Sequence, residues 1–392
     1  MRIEEQLRAR GASAADTAEA DLVVVNTCSV TASADQGARQ AIRRIARDNP
    51  AARVVVTGCY AARRPDDVAA LPNVVRIVGN DEKEDLVRLL GYGDGPCGAA
   101  IEPGIAGRTA FTLRVQTGCE ERCSFCIIPT TRGPGRSSPL DRVKAEVDRA
   151  VAAGFREIVL TGVHLGSYGR DLAPRQTLLA LLETLGAIDA DVTFRISSLE
   201  PMDCSPEIVV LVAESRGRFA PHFHLPLQHA SDRLLERMRR PYTIAYYRSL
   251  VESIVEAMPH ASIGSDVIAG FPGEQDEDFE RTLEYLAASP LSHIHVFPYS
   301  DRPGTEASAL SGKVPGAIVR DRCARLRAVG RELSERFRKR QSNTLRPGLT
   351  LEDGTLVVTD NFLKVRVAPG LERNRRVDVL LTEEAGTVVR AY

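Results

Sequence analysis

Tryptophan is absent from the 392 residues, aromatic side chains make up only 5%, and the formal net charge is −1. A chain this close to neutral does not attract nucleic acid through its overall field, so any RNA contact must come from a local basic patch. No apolar run reaches the roughly 18 residues that a membrane span requires. The opening stretch, MRIEEQLRARGASAAD, is charged and lacks the apolar centre of a signal peptide, which predicts a cytoplasmic protein. No internal repeat or low-complexity tract stands out. What is present is 43% hydrophobic residues, enough for sizeable cores, in a chain long enough for two or three domains. The eight cysteines are too sparse for a disulfide scaffold, and in a reducing compartment closely spaced thiols point to metal or catalysis.

The first part alternates strand and helix signals. ADLVVVNTC, ARVVVTGCY and VVRIVGN are short β-branched runs, with helical patterns between and after them. Strands apolar throughout suit a parallel sheet covered on both faces, so residues 1–92 predict a small α/β domain. Cys28 and Cys59 each follow one of these strands, where ligands sit in open α/β sheets. The Gly- and Pro-rich stretch 93–108 reads as a linker, with Cys97 an incidental thiol. From 109 to 335 the alternation resumes with six strand candidates, predicting a partial (βα)6 barrel with its chemistry at the strand C-termini. Residues 345–392 change texture to short strands, a small all-β module in the form of a barrel. The fold class is therefore α/β with a C-terminal β-barrel.

The stretch QTGCEERCSFCIIPTTRG packs Cys119, Cys123 and Cys126 into eight residues. Four thiolates would close a site, as structural zinc does, and no fourth Cys or His follows within thirty residues. Three thiolates on a loop can hold a [4Fe–4S] cluster and leave one iron without a protein ligand. Further along, RISSLEP offers Arg195, Ser198 and Glu200 at one strand end, and HLPLQHAS offers Gln228, His229 and Ser231 at the next. SDVIAGFPGE carries Asp266, Gly270 and Gly273, the glycines allowing close backbone approach. His164, in TGVHLGSYG, and His229 read equally well as satisfied pocket histidines.

The CxxxCxxC spacing, with Phe125 before the last cysteine, resembles the radical S-adenosylmethionine (SAM) superfamily. That resemblance implies that the open iron chelates SAM and that Phe125 lies near the adenine. It makes Arg195, Glu200, Gln228, Asp266 and Gly270 candidate cofactor-binding residues. The motifs VVVNTCSVT, VVVTGCYA, CSFCIIPTTRG, RSSP, EIVLTGVHLGSYGRDL, RISSLEP, HLPLQHAS and GSDVIAGFPGE together resemble the methylthiotransferases over nearly the whole chain. Those enzymes have an α/β domain with a second [4Fe–4S] cluster, for which Cys28 and Cys59 match two ligands. They also have a radical SAM barrel and a C-terminal RNA-binding β-module called TRAM.

TGVHLGSYG and NTCSVT most resemble the branch acting on N6-threonylcarbamoyladenosine beside the tRNA anticodon. The alternatives are the branches acting on isopentenyladenosine or on a ribosomal-protein aspartate. By resemblance, two SAM molecules are used, one giving a methyl group to sulfur and one giving the radical that takes hydrogen from C2 of the adenine. No general base is implied. Partners implied are tRNA, an electron donor such as flavodoxin or ferredoxin, and a sulfur source; the expected state is a monomer.

The chain departs from the family pattern at its start. The family's third cluster cysteine sits on a strand before the helix that MRIEEQLRARGA resembles, and no such cysteine precedes it here. Either the start is assigned too late, the preferred reading, or the second cluster has two ligands and sulfur insertion fails, leaving a radical SAM protein without that step. RNA-binding candidates are Arg39, Arg43, Arg44 and Arg47, then Arg336, Arg338, Lys339 and Arg340, then Lys364 and Arg366.

Overall fold

A computed structural model describes every residue except Met1, Ala9, Val30, 93–100, 105–106 and Glu384. Cys97 and most of the expected linker therefore lie outside the described residues. The chain forms two compact units. One comprises Met1–Ile101, Gly118–Pro134 and Ser300–Ala309; the other comprises Glu102–Thr117, Gly135–Tyr299 and Leu310–Tyr392. These units cut across the sequence blocks, because the three-cysteine loop groups with the N-terminal segment. No helix among the described residues is long and apolar enough to cross a membrane.

The first unit is built on a parallel sheet of β1 (Leu22–Thr27), β2 (Arg53–Gly58) and β3 (Val74–Val78), in that order. Val54 and Val56 pack on one face with Ile42, Tyr60 and Val68. Val55 packs on the other with Val78, Leu86 and Val87. Alternate residues of β2 thus feed opposite cores, which is why the run Val54-Val55-Val56 is apolar throughout. The helix Ala32–Asp48 on one face is started by Thr31, whose Oγ1 accepts the Ala34 N–H at 3.1 Å.

The second unit carries six longer parallel strands: β4 (Phe111–Arg114), β7 (Glu157–Thr161), β8 (Thr193–Ile196), β9 (His222–His224), β10 (Ser262–Ala269) and β11 (His293–Pro298). The two-residue strands β5 (Gln116–Thr117) and β6 (Arg136–Ser137) pair with each other. β4-β7-β8 and β9-β10-β11 each form a hydrogen-bonded sheet, and parallel bridges Phe194–Phe219 and Ser198–His224 join the two. The result is an arc of six parallel strands with helices between them, a partial barrel. Five antiparallel strands complete the unit: β12 (Leu345–Leu351), β13 (Leu356–Thr359), β14 (Lys364–Arg366), β15 (Arg376–Leu381) and β16 (Gly386–Ala391), ordered β14-β13-β12-β15-β16. Their shared core is Val357, Val365, Val367, Val377, Val379 and Leu381.

One buried ion pair ties this module to the barrel. The Arg195 guanidinium on β8 donates to both oxygens of Glu157 on β7, at 3.2 and 2.8 Å. It also donates to the Asp360 carbonyl at 3.0 Å, just past β13. Beside it, Arg376 donates to the Arg156 carbonyl at 3.1 Å and Asn361 donates to the His260 carbonyl at 2.9 Å. Removing one member of a buried pair strands the other charge. Glu157→Ala is therefore expected to cost about 3–5 kcal/mol, read as a lower denaturant midpoint; an unchanged midpoint would refute this role.

Candidate functional site

The three-cysteine loop is closed at its neck by glycine. Gly118 has φ +75°, and a Cβ there would lie 1.8 Å from the Pro134 carbonyl oxygen, so no other residue fits without moving backbone. Across the neck the Cys119 N–H donates to the Gly133 carbonyl at 3.1 Å. Inside the loop the Cys126 N–H donates to the Cys123 carbonyl at 3.1 Å, and the short helix Ile128–Arg132 follows. Two further contacts pin the loop within its unit: Ala307 N–H to Ser124 O at 2.8 Å, and Asn80 Nδ2 to Thr131 O at 2.8 Å.

All three thiols are half-buried. The Glu121 N–H points at Cys119 Sγ and the Ile128 N–H at Cys126 Sγ, each at 3.4 Å. Such donors suit sulfurs that carry negative charge toward iron. Among the described residues, one set of three His, Cys, Asp or Glu brings its ligand atoms within 4.8 Å of one another, and it is not this one. The donor set, three thiols on one loop with backbone N–H groups aimed at two of their sulfurs, fits an iron–sulfur group. Phe125 sits half-buried on the same loop.

Cys28 and Cys59 emerge from neighbouring strands, since Thr27 on β1 is paired with Gly58 on β2. Gly58 is required here: φ is +99°, and a Cβ would meet the Thr27 carbonyl oxygen at 2.2 Å. Arg132, at the end of the three-cysteine loop's helix, donates its Nε–H to Cys59 Sγ at 3.3 Å. The loop therefore supplies a cation to the sulfur at the start of the helix Cys59–Arg63, just after β2.

A buried carboxylate, missed in the sequence, organises the turn after Cys28. Asp35 accepts from Ser29 Oγ at 2.7 Å, from Arg302 Nη1 at 3.0 Å and from Arg63 Nη2. Arg302 also donates to the Ser29 backbone carbonyl. No local pattern announces this, because Arg302 lies 267 positions from Asp35.

In the second unit the structure redistributes the expected cofactor residues. Arg195 is consumed by Glu157 and the module's carbonyls, so it positions the β-module instead of meeting a cofactor. Glu200 has its carboxylate bound by the buried Arg240, which also donates to Tyr242 Oη at 3.0 Å. Gln228 lies at φ +67° and links to β10 through Gln228 N–H to Asp266 O and Ile268 N–H to Gln228 O, both 2.8 Å. The glycine at 270 has a packing reason: φ is +81°, and a Cβ would strike Val319 at 2.4 Å. Gly273, at φ +84°, donates to the Gly312 carbonyl at 2.7 Å. His229 is buried against Thr282 and Glu274, and His164 pairs with Asp203 at 2.7 Å. Both are satisfied structural histidines. Cys204 is also structural, its thiol pushed up to about 12 by burial.

Asp266 belongs to a wall the sequence reading overlooked. Its Oδ1 lies 3.0 Å from His224 Nε2 and 3.2 Å from His295 Nδ1, and these three form the close set noted above. His222 and His293 flank it. The signal was present as HFH on β9 and HIH on β11, where residues two apart share a face. Burial works against holding Asp266 ionised, but the two imidazoles outweigh it and its carboxyl lies below the ordinary range. Burial, aided by His224 and His295, lowers His293 to about 4. Burial and then Arg195 push His222 well below its usual value.

Of the basic candidates, Arg336 and Arg340 are spent on the carbonyls of Ala287 and Pro290, in the last turn of the helix Asp276–Ala288 and just after it, and Arg338 on that of Lys364. Arg39 donates to Tyr60 Oη at 3.0 Å. Arg43, Arg44, Lys339, Lys364 and Arg366 are exposed.

Residues 113–286 match the family described as the Radical SAM superfamily, and residues 1–79 match the one described as Uncharacterized protein family UPF0004. The chain is 38% identical over 378 residues to Threonylcarbamoyladenosine tRNA methylthiotransferase MtaB of Aquifex aeolicus, covering 92% of this chain and 91% of that one. The chain belongs to the radical SAM tRNA methylthiotransferases. A second relative, tRNA-2-methylthio-N(6)-dimethylallyladenosine synthase of Streptomyces viridosporus, is 32% identical, covering 82% of this chain and 67% of the relative. Among solved structures, the radical SAM methyltransferase TsrM from Kitasatospora setae, with cobalamin and a [4Fe–4S] cluster bound, aligns at a TM-score of 0.54 and 18% identity. That alignment covers 74% of this chain and 67% of the other, and the likeness is one of fold. Family membership implies a [4Fe–4S] cluster and SAM, and the three-thiol loop fits that cluster.

Two outcomes follow. Asp35→Ala leaves Arg302 buried without its carboxylate, so it is expected to cost about 3–5 kcal/mol; equal thermal stability in variant and parent would discount the network. For His222 and His293, the fold favours neutral rings. Their stabilisation is complete above about pH 6.5 and is lost as pH falls from there towards 4. A melting temperature that falls over that window, and falls less in His293→Gln, is expected; identical slopes would contradict it.

Proposed function

We propose that this methylthiotransferase acts on N6-threonylcarbamoyladenosine next to the tRNA anticodon, adding a methylthio group at C2 of the adenine. The observation that carries this reading is the grouping of five thiols in one unit: Cys119, Cys123 and Cys126 on a braced loop, with Cys28 and Cys59 at adjoining strand ends. The kinship with threonylcarbamoyladenosine enzymes at 38% identity favours that substrate over dimethylallyladenosine.

In this reading Cys119, Cys123 and Cys126 hold the radical SAM cluster, and Cys28 and Cys59 hold a second [4Fe–4S] cluster. When bound, the first cluster with SAM supplies the radical chemistry that removes hydrogen from C2, and a second SAM supplies the methyl group. The chain's residues do the rest by position. Gly118 keeps the loop neck closed, Arg132 offers its charge at Cys59, and the Asp35 network fixes the turn that presents Cys28. Phe125, Glu200, Gln228, Asp266 and the backbone at Gly270 are the proposed SAM contacts. An electron donor of the flavodoxin or ferredoxin kind and a sulfur source complete the system, with the enzyme as a monomer.

The test is iron and sulfide content after anaerobic reconstitution, followed by mass spectrometry of tRNA nucleosides after reaction with SAM and reductant. About eight irons are expected in the chain and about four in the Cys119/Cys123/Cys126→Ala variant. The product expected is methylthio-threonylcarbamoyladenosine. SAM cleavage with no methylthio nucleoside would instead mark a radical SAM protein without sulfur transfer. Methylthio product on dimethylallyladenosine alone would replace the substrate.

A further inference from the structure

Within the second unit lies a cavity of about 610 Å3, lined by the start of β4, the inner faces of β7–β11 and the C-terminal module. Its size suits a nucleoside-sized group. Its wall is polar: His222 and His224 on β9, Asp266 on β10, and His293 and His295 on β11. Of this wall, the catalytic readings above use Asp266 alone and none of the four histidines.

Three observations say what the cavity takes. His222 has both ring nitrogens without a hydrogen-bond partner, although the residue is only 7% exposed. A buried imidazole with unspent hydrogen-bonding capacity is costly unless a ligand supplies the partner. Phe362, at φ +70°, covers that ring at 4.4 Å between centroids while staying 42% exposed, so it forms the outer face of the site. Finally, the lining carries basic side chains of its own. Arg195 is matched by Glu157, and Asp266 lies in hydrogen-bond contact with His224 and His295. Arg108 and Lys364 both line the cavity and have no ion-pair partner among the described residues. The acids on the same lining are Glu157, which pairs with Arg195, and Asp266 and Glu352.

We propose that this cavity is the specificity pocket for the N6 substituent of the target adenosine, and that it selects a substituent bearing a carboxylate and amide-like polar groups. Lys364 and Arg108 take the carboxylate. The histidine wall supplies donors and acceptors for the carbamoyl and hydroxyl groups, with Asp266 fixing the orientation of His224 and His295. A dimethylallyl substituent would bury five carbons against imidazoles and a carboxylate, leaving those polar groups unpaired. The inference rests on the threonylcarbamoyladenosine reading and names the residues that enforce it.

The experiment uses fluorescent anticodon stem-loops of one sequence carrying threonylcarbamoyladenosine, dimethylallyladenosine or unmodified adenosine. Binding to the reconstituted enzyme with SAM is followed by anisotropy at fixed salt. The enzyme is expected to favour the threonylcarbamoyl RNA over the dimethylallyl RNA by about tenfold or more, the worth of one charge-assisted hydrogen bond. Lys364→Ala with Arg108→Ala, and separately His295→Phe, should bring that ratio close to one, while Lys364→Arg should keep it. Equal loss for all three RNAs would mean that Lys364 and Arg108 meet phosphates, and would overturn the proposal. So would a ratio unchanged in the variants. A parent enzyme that favours the dimethylallyl RNA would overturn the substrate reading itself, an outcome distinct from failure of the pocket alone. Lys364, Arg108 and His295 are exposed or partly exposed, so loss of folding does not confuse the result.

Discussion

A carboxylate buried without a partner would cost this fold several kcal/mol, and Asp35 escapes that cost by drawing in two arginines. Its side chain is 6% exposed, and Arg63 and Arg302 both point at it. Arg63 closes the short helix that begins at Cys59. Arg302 arrives with the segment Ser300–Ala309, which also gives the Ala307 N–H to Ser124 in the three-cysteine loop. Ser29, next to Cys28, accepts from both guanidinium groups. One charge therefore couples the positions of three separate thiol-bearing stretches, and the cysteines need no contact with one another to be held in register.

The second unit uses the same device for a different purpose. Arg195 and Glu157 neutralise each other inside the barrel, and the leftover donors of Arg195 hold the backbone after β13. The two units thus share a principle: guanidinium groups with several donors join chain segments that hydrophobic packing alone would leave free to shift.

The parts legible in the sequence were those with short-range signatures. The thiol spacing is complete within eight residues, and the runs VVV on β1 and β2 report a sheet buried on both faces. The illegible parts depend on distance along the chain or on strand facing. Arg195 reads as a cofactor ligand because it sits next to the last residue of its strand, close to Ser198 and Glu200. Its neighbour across the sheet, Glu157, was 38 positions away and invisible to a linear reading. Gly270 matched a ligand-approach motif, yet Val319 on the long helix Gly316–Gln341 already occupies the space its missing Cβ would need. The histidine wall was readable in principle, since HFH and HIH put like side chains on one face. A linear reading does not show it, because HFH and HIH lie about 70 positions apart and only strand pairing through β10 brings them side by side.

The discontinuity of the first unit has a consequence for how the protein is made. That unit is assembled from three stretches of chain, the last ending at Ala309. On the ribosome, Asp35 emerges long before Arg302, 267 positions later. At roughly 5–20 residues per second, the carboxylate waits on the order of tens of seconds for its second arginine. During that interval the Cys28 turn lacks its brace while its thiol is already outside the tunnel. The turn beside Cys28 thereby gains its second arginine only after most of the barrel has been synthesised.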